Sequence, residues 1–192
     1  MLYRMSYIVV DVETSPIDIK EYDKRNEEEK KKMLNPIDSK IIAIGIKAKD
    51  NEAQIFLGEE KEILGEFWVN IKKHKQKANK IIGFNIKDFD LPFLVTRSFL
   101  NDVEIEPFIL KEIIDIREKL SAYKWGNVRG KLKEFAKLLS IPTLGIEGDK
   151  INELYINKDF KTIKEYLTKD LEITELLYER IVKLKIDKIE KW

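Results

Sequence analysis

Hydrophobic positions along the chain follow two different periods. Residues 7–10, Tyr-Ile-Val-Val, form a β-branched run that ends at Asp11 and predicts a buried strand. Residues 41–48 and 53–57 predict two more strands, joined by a turn at 49–52. Between the first two lies a charged stretch, residues 22–33. Glu27/Lys31 and Glu28/Lys32 stand there at helical i,i+4 spacing, which predicts a solvent-facing helix closed by Asn35-Pro36. Residues 62–73 are amphipathic, with Ile63, Leu64, Phe67, Trp68 and Ile71 on one face. Residues 80–84 predict a fourth strand, a helix follows over about 89–100, and Ile113-Ile114-Asp115 predicts a short fifth strand. Beyond it the pattern is helical at 120–123, 132–139, 151–155 and 160 to about 186. Three strands, then helix, strand, helix, strand and a helical tail make an α/β order. No repeat, Gly/Ser linker or low-complexity tail interrupts it. Residues 1–192 therefore read as one domain, with a charged helical insertion at about 20–36 and a helical C-terminal part at about 120–192.

Composition narrows the class. Hydrophobic residues are 43% and charged residues 37% of the 192, which predicts a packed core under a densely charged surface. No apolar run approaches the ~20 residues of a membrane span, and no secretory signal is visible, so a soluble cytoplasmic protein is expected. Absence of cysteine excludes disulfides, thiol catalysis and cysteine-ligated zinc. The net charge of +1 argues neither for nor against a nucleic-acid partner, because an acidic site and basic surroundings cancel in the sum. All but six of the 36 basic residues are Lys, a style shared by thermophiles and AT-rich genomes.

Acids stand where packing alone calls for apolar side chains. Asp11 and Glu13 share one face by strand alternation, with Val10 and Val12 opposite. Two like charges there repel and lose hydration, which a hard divalent cation would resolve. The plainer alternative is that Asp11 starts a turn and Glu13 caps a loop. Asp170 falls within the apolar stripe Ile163, Tyr166/Leu167, Thr174, Leu177 and Ile181 of the last helix, so it needs a partner. Tyr166, one turn earlier, shares its face. A buried ion pair with Lys is the alternative for Asp170. A third cluster is Gly83-Phe-Asn-Ile-Lys-Asp-Phe-Asp-Leu-Pro-Phe-Leu94. Gly83 is expected to admit a close backbone, and Asp88 or Asp90 starts a helix, capping it, binding metal, or one doing each.

Taken together, these clusters resemble the three motifs of the DEDD superfamily of 3′→5′ exonucleases. The carriers are Asp11-Val-Glu13-Thr14, Gly83-Phe84-Asn85 through Phe89-Asp90, and Tyr166-x-x-x-Asp170. Phe-Asp-Leu-Pro-Phe-Leu resembles the proofreading domain of family-B DNA polymerases. The tail over 131–180 is similar to stand-alone bacterial and archaeal relatives of that domain. The resemblance spans about 6–182 and implies an RNase H-like fold, a mixed five-stranded sheet flanked by helices. It implies Asp11, Glu13, Asp90 and Asp170 as ligands of two divalent ions, Mg²⁺ or Mn²⁺, and Tyr166 as a water-orienting catalytic residue. Asp90 is preferred to Asp88 because the family's acid directly follows the aromatic. Tyr166 marks the tyrosine subclass, since the position that carries His in the other branch is Glu165. His74 is expected to be a solvated surface residue.

In that scheme two ions about 3.5–4 Å apart straddle the scissile phosphate. Asp11 bridges both, Glu13 and Asp170 serve mainly the water-activating ion, and Asp90 reaches the other largely through water. Thr14, Asn85 and Phe89 are candidates to hold the terminal nucleotide. The substrate is the 3′ end of single-stranded DNA or RNA, with DNA favoured. Competing readings are a binding module without catalysis, an RNase H-like endonuclease, and a proofreading subunit beside a separate polymerase. Residues 123–131 mix bases, aromatics and glycines, and are a candidate strand-contacting loop or an ordinary loop burying Trp125. Residues 72–80 read as a solvated helix end. Asp115 is a supporting residue of the site or a turn former. The 22–33 segment is either a flap over the site or inert.

Overall fold

The computed structural model describes residues 6–75, 80–124 and 130–190. Five strands, β1 (Tyr7–Pro16), β2 (Ser39–Ala48), β3 (Gln54–Leu57), β4 (Lys80–Gly83) and β5 (Ile113–Asp115), form one sheet in the order β3-β2-β1-β4-β5. β1 pairs antiparallel with β2, and β2 with β3, whereas β4 joins β1 and β5 in parallel. The sheet is thus mixed, as expected for an RNase H-like fold. β1 is longer than its apolar run: it continues through Asp11 and Glu13 to Pro16. Nine residues of pairing to β2, Ile8 to Pro16, carry the strand past the point where its side chains cease to be apolar, with a register shift between Glu13 and Thr14.

Alternation along β1 divides the core. Ile8, Val10 and Val12 join the cluster beneath α3 (Glu60–Lys75) and α4 (Asp90–Leu100), while Tyr7 and Val9 join the cluster beneath α8 (Phe160–Lys183). Asp11 and Glu13 continue the Tyr7–Val9 set and so face α8. Ten residues of α8 are buried, Tyr166 and Asp170 among them. That helix lies close because β2 offers it Gly45, the partner of Asp11 across the ladder. A Cβ at Gly45 would meet Leu171 Cδ1 at 2.8 Å and Leu167 Cγ at 2.9 Å.

The remaining helices are short. The charged stretch forms two helices rather than one, α1 (Ile19–Asp23) and α2 (Glu27–Lys32), because Asn26 starts the second with a capping box to Glu29. α5 (Ile116–Leu120) begins immediately after β5, earlier than the expected 120–123, since Asp115 caps it by accepting from Arg117 N and Glu118 N. α6 (Leu132–Leu138) and α7 (Ile151–Ile156) precede α8. Gly83 does not admit a second backbone; the Ile86 side chain folds over it, with Cβ 2.6 Å from an added methyl. His74 is half-buried in the last turn of α3 rather than fully solvated. No described helix is long and apolar enough to cross a membrane.

Two glycine substitutions should move stability in opposite directions. Gly45→Ala forces Leu167 and Leu171 apart and is expected to cost about 1–3 kcal/mol. Gly65→Ala lies within α3, where an added methyl meets nothing within 4 Å, and should stabilise by about 0.5–1 kcal/mol. Urea unfolding of both variants checks the pair; a neutral Gly45→Ala would refute the close approach of α8.

Candidate functional site

β1 and α8 bring three of the predicted acids together. One carboxylate oxygen from each of Asp11, Glu13 and Asp170 lies within 4.8 Å of the other two. Asp90, the first residue of α4, reaches the same place from the other side of the strand. Its Oδ1 accepts a hydrogen bond from Val12 N at 2.9 Å, and its carboxyl receives one from Asp11. Neither acid at the start of α4 acts as its cap. No side chain caps that helix: Asp90 is turned to β1, and Asp88 is exposed.

The electrostatics of the cluster follow from burial. Asp90 is 2% and Asp170 7% exposed, so neither has the hydration that an anion needs. Desolvation, and then the neighbouring Asp90, Glu13 and Asp170, hold the Asp11 carboxyl well above the usual range. Glu13 is likewise raised by desolvation and by Asp170, although Lys133 opposes the shift. Burial pushes Asp90 up to about 7 even though the Val12 N–H favours its anion. Asp170 is raised by burial against the pull of Lys133 and the Tyr166 hydrogen bond. A cluster that resists ionisation in this way is short of positive charge. Converging oxygen donors with no nitrogen or sulfur ligand fit a hard divalent cation.

Tyr166 completes the geometry. Its hydroxyl bonds Asp170, and Lys133 Nζ on α6 lies 2.5 Å from the phenol oxygen and also bonds the Ile146 carbonyl. Burial and then Glu13 raise the phenol's pKa far above its ordinary value, so at neutral pH it is a hydrogen-bond donor and not a base. Lys133 was not singled out by the sequence, where it reads as a polar position of an amphipathic helix. Nothing in that pattern tells that α6 aims it at Glu13 and Asp170.

These groups open into a cleft of about 700 Å³. Glu13, Thr14, Phe89, Tyr166 and Asp170 line it, and Tyr22, Glu27, Lys30 and Lys31 of the α1–α2 insertion form part of its wall. The insertion therefore stands beside the acids and not remote from them. Asn85 is not among the lining residues. Its backbone is left-handed (φ 62°), its N–H donates to Asp115, and its side-chain oxygen accepts from Arg117. Asp115, 2% exposed, collects the N–H groups of Asn85, Lys87 and Arg117, and so supports the loop that leads to Asp90. Of the candidate loop at 123–131, residues 125–129, with Trp125, lie outside the described residues.

Comparison with known proteins agrees with this architecture. Residues 31–182 match the family model RNase_H_2 of the RNase_H superfamily. Uncharacterized protein MJ0365 of Methanocaldococcus jannaschii is 33% identical over 163 residues, covering 78% of this chain and 89% of that protein. In fold, the chain is similar to the family B DNA polymerase of the hyperthermophilic archaeon Pyrobaculum calidifontis, with a TM-score of 0.72 and 16% identity over 95% of this chain. It spans about 25% of the polymerase's length. On the family match, which spans most of its length, the chain belongs to the RNase H superfamily.

Proposed function

We propose that this protein is a metal-dependent 3′→5′ exonuclease that releases nucleoside 5′-monophosphates from single-stranded nucleic acid. The observation that carries the reading is the convergence of Asp11, Glu13 and Asp170 within 4.8 Å, with the Tyr166 hydroxyl bonded to Asp170. Superfamily membership supports a nuclease-type function, and the fold likeness to a DNA polymerase favours DNA as the strand.

Asp11, Glu13 and Asp170 would hold divalent cations, Mg²⁺ or Mn²⁺, with Asp90 beside Asp11 as the fourth acid. When bound, such ions supply Lewis-acid stabilisation of the phosphate and acidify water. The chain's own groups do the rest. Tyr166, kept protonated, would turn its single O–H from Asp170 to the attacking water and so orient it. Lys133 holds the phenol oxygen in place and offsets the acids. Thr14 and Phe89 line the entrance, where they would position the terminal nucleotide, and the Phe89 ring is backed by Phe93 at 4.9 Å. Asn85 would act from behind, through the loop that sets Phe89 and Asp90.

A 5′-labelled single strand should shorten as a ladder from its 3′ end with Mg²⁺ or Mn²⁺ and stay intact in EDTA. Asp11→Ala should lower the rate at least about a thousandfold. Full activity in that variant, or cutting of a circular single strand, would sink the exonuclease reading. Tyr166→Phe keeps the acids but loses the donor, so its single-turnover rate should fall about tenfold to a hundredfold; an unchanged rate would remove its role.

Metal-free stability tests the acids without catalysis. The Asp90 carboxyl sits at about 7 in the folded protein, above an ordinary value of about 3.9. The folded state therefore binds this proton more tightly, and the stability it contributes is complete below about pH 4 and lost as pH rises through about 7. Asp90→Asn removes that loss. In EDTA the variant should melt several degrees above wild type near pH 8, with the gap narrowing as pH falls and closing only near pH 4. A gap independent of pH would contradict the strained carboxyl.

A further inference from the structure

Two elements remote in sequence put lysines on the same cleft. α2 supplies Lys30 and Lys31, with Tyr22 of α1 nearby, and α6 supplies Lys133 and Lys137, preceded by Lys131. Lys133 is engaged with Tyr166. Lys30 contacts Glu27 at 3.2 Å and lies 5.4 Å from the Tyr22 ring centre. Lys31 and Lys137 have no ion-pair partner among the described residues. Of the cleft's acids outside the floor, Glu27 is held by Lys30, and Glu134 caps its own helix by accepting from Lys131 N at 2.7 Å. Glu147 and Asp149 line the same cleft, Glu147 near Lys137 and Asp170 and Asp149 near Tyr22, so the lysines share their walls with two acids. The cleft thus joins an acid floor to lysine-bearing walls.

The wall formed by α1 and α2 is built without a core. Neither helix buries a residue, and both rely on caps, from Asp18 and from Asn26. Its foot is nevertheless fixed. Arg97, paired with Glu60, reaches the Pro36 carbonyl at 3.2 Å, and Ser39 Oγ donates to Met33 O at 2.7 Å. Asn35 bonds Lys32 O, Asp38 and the N–H groups of Ile37 and Asp38. A segment anchored at its base, absent from the core and lysine-bearing on the cleft is suited to hold a polyanion.

We propose that α1–α2 and α6 clamp the phosphate backbone of a single strand whose 3′ end lies on the acid floor. Lys30 and Lys31 contact phosphates from one element, Lys131 and Lys137 contact them from the other, and Tyr22 offers a ring to a base. This rests on the exonuclease reading for the position of the 3′ end, but binding tests it separately.

The test compares wild type with Lys30→Ala/Lys31→Ala and with a charge-matched control, Lys72→Ala/Lys73→Ala, on the exposed end of α3. The substrate is oligodeoxythymidine with Mn²⁺, and KM is measured over a range of NaCl. The α2 variant should raise KM about tenfold and flatten log KM against log salt by about 1.4, since each phosphate contact on a single strand contributes about 0.7. The control should follow wild type. Equal KM and slope in the α2 variant, or an equal loss in the control, would overturn the clamp. If wild type itself cleaves nothing, the exonuclease reading fails, and fluorescence anisotropy of the same strand decides: weaker binding by the α2 variant alone upholds the clamp, and equal binding refutes it.

Discussion

Crowding four carboxylates into one desolvated place is the constraint that the rest of the molecule serves. Such a cluster repels itself, so something stronger must hold it. Two apolar clusters do so, on opposite faces of one sheet. One is built under α3 and α4, and the other under α8. β1 belongs to both, which is why its polar half cannot drift away from either helix. The Val12 N–H adds a second hold, since it ties Asp90 to the strand at the residue between Asp11 and Glu13. Stability is therefore spent in the core so that the acids meet, a cost that bound cations would lift.

How much of this was legible follows from the kind of signal each residue carries. The strands, the amphipathic helix at Glu60–Lys75 and the long last helix announced themselves by period. Asp170 stood out because a charge within an apolar stripe contradicts its surroundings, and it is buried next to Asp11 and Glu13. Gly45 carried no such contradiction; a glycine in a strand is ambiguous until the helix above it is known. Lys133 was silent for the same reason, being an ordinary polar residue whose meaning lies in α6 facing the acids. The extension of β1 past Glu13 to Pro16 was also invisible locally, because pairing with β2, not apolarity, continues that strand.

The tyrosine has a defined part because of its neighbours. A phenol among carboxylates cannot ionise, so it keeps its proton and has a hydrogen bond to give. The lysine on its oxygen reinforces this direction by occupying the acceptor side. Tyr166 and Lys133 thus form a polar unit on two helices, α8 and α6, and the spacing between those helices sets the reach of the hydroxyl. That spacing is set in turn by the apolar cluster in which Ala136 of α6 packs with Leu171 and other residues of α8.

The insertion between β1 and β2 joins strands that are already neighbours. Pro16 pairs with Ser39, and Ile17 N donates to Asp38 O at 2.9 Å, so the ladder closes beneath α1 and α2 without help from either. A loop that leaves and re-enters the fold at adjacent points adds little closure entropy as its length changes. The segment above that closure is thus a replaceable cassette: its length and charge can be rewritten without disturbing the hydrophobic interior, which separates the evolution of what enters the cleft from the evolution of what happens at its floor.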